Sequence, residues 1–95
     1  MKGAEFVEPY LENKTIYLIK NIDKLHTTQL GDGRIRKNLC LCDVDDVSDW
    51  CRGQITDRES KIERTGKNWY ITTADRCRIT VNAYSYTIIT AHKLK

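Results

Sequence analysis

Metal-independent cleavage of a phosphodiester needs a base, an acid and cations, and this sequence carries side chains for each role. A base takes the proton of a ribose 2′-OH, an acid protonates the leaving 5′-oxygen, and cations steady the charge on the pentacoordinate phosphorus. The candidate catalytic set is His26, Arg34, Thr90 and His92. Lys37, Glu63, Tyr70, Arg78, Asn82 and Tyr86 are the candidates for holding substrate. Because the route uses the 2′-OH, such a site would be specific for RNA. It calls for no metal and no cofactor.

Most of these residues come together only if the last third of the chain is a sheet. In 77–83, Ile79, Val81 and Ala83 alternate with Arg78, Thr80 and Asn82; Tyr84-Ser85 then reads as a tight turn. In 86–92, Tyr86, Ile88, Thr90 and His92 share one face, opposite Thr87, Ile89 and Ala91. Two further strands are expected at 61–64 and 68–73, separated by a Gly66-Lys67 turn. With Ile62, Trp69, Ile71, Ile79, Val81, Ile89 and Ala91 inward, the pleat turns Glu63, Tyr70, Thr72, Arg78, Thr80, Asn82, Tyr86, Thr90 and His92 outward. A solvated sheet face has the same composition, since Thr and Tyr are good strand formers in any setting.

Helical periodicity governs the chain before residue 60. Leu11, Thr15, Leu18, Ile22 and Leu25 recur at helical spacing after Pro9, which predicts a helix over 9–25. A weaker helix is expected over 26–39, capped by Thr27 or Thr28, with Gly31 and Gly33 each costing about 1 kcal/mol relative to Ala. It would align His26, Leu30, Arg34 and Lys37 along one face. A third helix over 44–55, capped by Asp43 or Asp45, would bury Val44, Val47, Cys51 and Ile55. The fold class is therefore α+β: three N-terminal helices packed on one face of a four-stranded antiparallel meander sheet.

At 95 residues the chain has the size of one domain, 1–95, with helices over about 9–55 and sheet over about 60–93. A net charge of +3 is too mild to demand a polyanionic partner. Apolar runs such as Ile16-Tyr17-Leu18-Ile19 fall far short of the ~20 residues of a membrane span, so no membrane association is expected. The segment Met1 to Phe6 carries an acid and no apolar stretch, which predicts a cytoplasmic protein without a signal peptide. In that compartment Cys40, Cys42, Cys51 and Cys77 would stay reduced. Cys40-x-Cys42 is also tighter than zinc spacing usually is, so buried structural thiols are expected. Phosphate loops, nucleophile elbows and zinc-protease motifs do not occur.

Nearly the whole chain resembles a family of small uncharacterised bacterial proteins, a domain of unknown function. The resemblance rests on Lys24-Leu25-His26-Thr27-Thr28-x-Leu30-Gly31-x-x-Arg34-Ile35-x-Lys37-Asn38-Leu39, on Gly66-Lys67-Asn68-Trp69-Tyr70, and on the run from Asn82 to Lys93. In topology, helices followed by a meander ending in Ile88-Ile89-Thr90-Ala91-His92, the chain is similar to barnase-like and toxin ribonucleases. That similarity implies His26 and Arg34 on a helix facing Thr90 and His92 on the last strand. Two function classes are left: a metal-independent RNase-like enzyme, and a non-catalytic module binding RNA or protein. The second includes a homodimer formed through a sheet edge.

Overall fold

The alternating segments after residue 60 form β1 (Lys61–Thr65), β2 (Asn68–Thr72), β3 (Cys77–Asn82) and β4 (Ile88–Lys93). They lie in the order β1-β2-β3-β4, each neighbour antiparallel, as the periodicity and turn signals predict. The computed structural model describes residues 17–94. Gly66 supplies the left-handed backbone (φ 60°) between β1 and β2, where a side chain would be strained. Thr73 closes the next turn: its hydroxyl accepts from the Cys77 N–H at 3.1 Å. The β3–β4 connection is longer than the predicted two residues. Asn82 Oδ1 accepts from the N–H groups of Tyr84 and Ser85, both at 2.9 Å, and Tyr86 sits at φ 62°.

β4 departs from simple alternation. Thr80 pairs with Thr90, but Val81 pairs with Ile88, so the ladder slips by a residue. This bulge overturns the predicted inward position of Ile89. Ile88 is buried at 1% exposure, whereas Ile89 is 42% exposed. Ala91, Thr90 and His92 keep their expected sides, because they precede the slip when counted from the C-terminus.

Two α-helices precede the sheet, α1 (Gln29–Leu39) and α2 (Val47–Ile55). The start of the predicted 9–25 helix lies outside the described residues. Its described end is helical over 17–20, and a 3-10 turn follows at Ile22–Lys24. The helix stops short of residue 25, and at its end Tyr17 O accepts both the Asn21 N–H at 3.1 Å and the Asn21 side-chain amide at 2.8 Å. Leu25 is already extended, so His26 lies on no helix. Thr28 caps α1, as expected, by accepting from Gly31 N–H at 2.9 Å. Asp46 rather than Asp43 or Asp45 caps α2, accepting from Asp49 N–H at 3.1 Å. Val44 therefore precedes the helix.

A continuous buried cluster unites Leu18, Leu25, Ile35, Leu39, Val47, Cys51 and Ile55 with Trp69, Ile71, Cys77, Ile79, Val81, Ile88 and Ala91. Against expectation, Cys40 and Cys42 lie outside it, both exposed in the loop between the helices. Gly31 is placed where α1 approaches β4. A Cβ there would lie 3.0 Å from Thr28 Oγ1 and 3.7 Å from Ile88 O, so the helix cost of a glycine is offset by close approach.

Arg36 and Arg52 bind the connections to the helices. Arg36 donates to Asp32 Oδ1 at 2.6 Å and to the carbonyls of Leu41, Val44 and Asp45 in the α1–α2 loop. Arg52 donates to Ile22 O (3.1 Å), Leu25 O (2.8 Å) and Asp49 Oδ1 (2.8 Å).

Two outcomes test this packing. Ile88→Ala should lose about 2–5 kcal/mol of stability in urea unfolding, and Ile89→Ala less than about 1 kcal/mol. A reversed order would mean that β4 lacks the bulge. Burial also pushes the Cys51 thiol from 9.0 up to about 12, with Arg52 opposing in part. The unfolded thiol loses its proton first, so this contribution is intact below pH 9.0 and is lost between there and about pH 12. Stability should fall by up to about 1.4 kcal/mol per pH unit in that window. Cys51→Ala should show a flatter fall than the wild type, and identical slopes would contradict the burial.

Candidate functional site

The cross-strand register assembles most of the predicted polar face. One row runs Lys61, Thr72, Arg78, His92 across the four strands, and the next runs Glu63, Tyr70, Thr80, Thr90. Side chains at these positions share a face because successive residues point to opposite sides of a strand. Thr80, at the centre, is buried at 7% exposure. Tyr70, Thr72, Arg78 and Thr90 are half-buried, while Lys61, Glu63 and His92 are exposed. Tyr70 Oη accepts from Asn68 Nδ2 at 3.2 Å, which holds the phenol down along β2.

Arg78 is the unusual member. Its Nε is buried and has no hydrogen-bond partner among the described residues. An unpaired, buried Nε–H on this half-buried side chain is costly, and an acceptor brought by a ligand would remove that cost. His92 is its cross-strand partner, with Thr72 on the other side. Lys61, which completes the row, is a cation that the sequence reading missed, although its alternation with Ile62 was visible there.

Other predicted residues lie elsewhere. Tyr86, expected on the polar face, packs its ring on Trp69 with centroids 5.3 Å apart, and Lys24 Nζ lies 5.8 Å from its centre. The bulge and the left-handed backbone at residue 86 turn it toward the core side. Asn82 is committed to its turn through Oδ1. Arg34 and Lys37 are exposed on α1, whose buried stripe is Gly31, Ile35 and Leu39. The expected His26–Arg34 helical stripe therefore lacks its first member.

His26 forms a distinct cluster at the start of β4. Its backbone makes a parallel bridge with Thr87, donating to Tyr86 O at 3.1 Å and accepting from Ile88 N–H at 2.7 Å. The ring's Nδ1 lies 2.8 Å from Lys24 O, so in the neutral form that nitrogen carries the proton. Nε2 then accepts from Thr87 Oγ1 at 3.1 Å, and Thr87 Oγ1 is 2.8 Å from Ser85 Oγ. From Thr87 to His92 is five residues, so the two imidazoles stand roughly 15 Å apart along the strand. Glu63 and His92 are three strand spacings apart, about 14 Å.

No group of three or more His, Cys, Asp or Glu side chains able to hold a metal ion occurs among the described residues. No helix among them is long and apolar enough to cross a membrane. No curated protein and no solved structure matches the chain. The motifs spread from Lys24 to Lys93 nevertheless have a counterpart: residues 19–92 match the model of the family described as protein of unknown function DUF3781, and the chain belongs to that family.

Proposed function

We propose that this chain is a non-catalytic module that binds single-stranded RNA on the polar face of its sheet, with the helices covering the opposite face. The observation that carries the reading is the buried Arg78 Nε without a partner, in a row with Lys61, Thr72 and His92. A phosphodiester oxygen satisfies that donor, and a guanidinium takes phosphate better than any other side chain. Tyr70, in the adjacent row, offers a ring on which an unstacked base can lie.

Spacing favours binding over cleavage. Metal-independent hydrolysis would draw its acid and base from His26, His92 and Glu63, and the backbone positions of the His26–His92 and Glu63–His92 pairs are about 14–15 Å apart. A catalytic base must come within about 3 Å of the proton it takes. Thr90 and His92 then act as contacts beside Arg78, while Arg34 and Lys37 on α1 play no part in this face.

Fluorescence anisotropy with a labelled single-stranded RNA tests the reading. Arg78→Gln should weaken binding by about tenfold or more and reduce the salt slope by about 0.7, the loss of one phosphate contact. Arg34→Gln should bind like the wild type. Equal affinity of Arg78→Gln and wild type, or no RNA binding at low salt, overturns the proposal and leaves a protein-docking face. The same RNA incubated in EDTA should remain intact. Cleavage that His92→Ala abolishes, with a 2′-deoxy analogue inert, would establish the ribonuclease reading instead.

A further inference from the structure

The four cysteines divide into two buried and two exposed, and the exposed pair is separated by one residue. Cys40 ends α1 in the left-handed conformation (φ 56°), its N–H donating to Arg36 O. That backbone turns the chain sharply, and the Cys42 Sγ folds back to 3.9 Å from Cys40 O. Both thiols line one shallow concavity with Gly33, Arg36, Lys37 and Leu41. Cα atoms two residues apart are never separated by more than about 7 Å, and the Cys42 sulfur already folds back toward Cys40, so the pair is within reach of a disulfide.

We propose that Cys40 and Cys42 are a redox-active dithiol that exchanges with disulfide substrates. The thiolate of one cysteine attacks a sulfur of R–S–S–R, forming a mixed disulfide and releasing one thiolate RS⁻. The second cysteine's thiolate attacks the protein sulfur of that mixed disulfide, closing the Cys40–Cys42 bond and releasing the second RS⁻. The two protons lost by the protein thiols end on the two RS⁻ groups. The protein is oxidised by two electrons and the substrate disulfide is reduced to two thiols.

Ring size argues that the bond is a reversible one. A bridge across one intervening residue closes so short a loop that it restricts the unfolded chain very little, so it adds little as a staple. Its small ring is strained, and strained exposed disulfides are the ones most easily reduced. Lys37, one helical turn before Cys40 and exposed in the same concavity, favours substrates that carry carboxylates.

The test uses the reduced full chain, oxidised glutathione as probe, alkylation of remaining thiols, and mass spectrometry of the intact protein and its peptides. Wild type should lose two hydrogens, release two glutathione molecules per chain and carry its new bond in the peptide containing Cys40 and Cys42. Cys42→Ser and Cys40→Ser should each stop with one glutathione attached. Bound glutathione in wild type should be at least about tenfold lower than in either variant, because the second thiol acts at high effective concentration. Wild type that stays reduced, retains glutathione, forms linked dimers, or bridges through Cys51 or Cys77 overturns the proposal. Peptide mapping of the wild type alone decides the bond's position, so the result does not depend on any variant folding.

Discussion

Between Thr80 and Val81 the pairing with β4 slips by one residue, and the seating of Ile88 in the core, beside His26 and under α1, follows from that slip. In an unbroken ladder Ile89 would pair with Val81 and face the core, and Ile88 would face the solvent. The bulge admits Ile88 and Ala91 to the same side, three residues apart, while Thr90 and His92 stay aligned with Thr80 and Arg78. Ile88 is also the meeting point of three segments. Its N–H is taken by His26, its side chain fills the core, and its carbonyl lies under Gly31 of α1. A shift of one residue would break all three contacts at once.

The positive charge of the chain is less available than its sequence suggests. Arg36 and Arg52 direct most of their donors at main-chain carbonyls, and each keeps one for a carboxylate. Apart from Ile22 O, which also accepts the Leu25 N–H in its 3-10 turn, those carbonyls belong to residues outside the regular ladders. Arg64 is stacked over the rings of Trp69 and Tyr84, at 5.5 and 5.7 Å. Arg78 differs from all three: it is half-buried on a polar face and its Nε has no partner among the described residues. Formal charge counts treat these arginines alike, but their hydrogen bonds distinguish them.

Local chemistry accounts for what was readable in the sequence. Thr28 before a helical stripe, Gly66-Lys67 between alternating runs and the apolar spacing of Trp69, Ile71, Ile79 and Val81 each state a preference that the fold adopts. Seven of the outward residues, Glu63, Tyr70, Thr72, Arg78, Thr80, Thr90 and His92, follow from the pleat alone. Two adjacent isoleucines, however, satisfy either phase of β4, so periodicity had nothing with which to detect the bulge. The spacing of His26, Leu30, Arg34 and Lys37 suits a helix through His26, but the Thr28 cap starts α1 two residues later and leaves His26 in extended backbone. Cys40 and Cys42 were assigned to the core on the general habits of cysteine, although the turn that exposes them has no glycine to announce it.

The contacts that close β4 have a bearing on how the chain is made. Asn38 Nδ2 donates to Ala91 O at 3.1 Å, joining residues fifty-three positions apart, and the His26–Thr87 bridge spans a similar length. During synthesis α1 and α2 leave the ribosome well before β4, the strand that α1 packs against, exists. Their apolar stripes, Ile35 and Leu39 on one and Val47, Cys51 and Ile55 on the other, must wait through the translation of three strands. These native contacts can form only once β4 is available and the long loops close. Until then the nascent chain exposes the surfaces that chaperones bind.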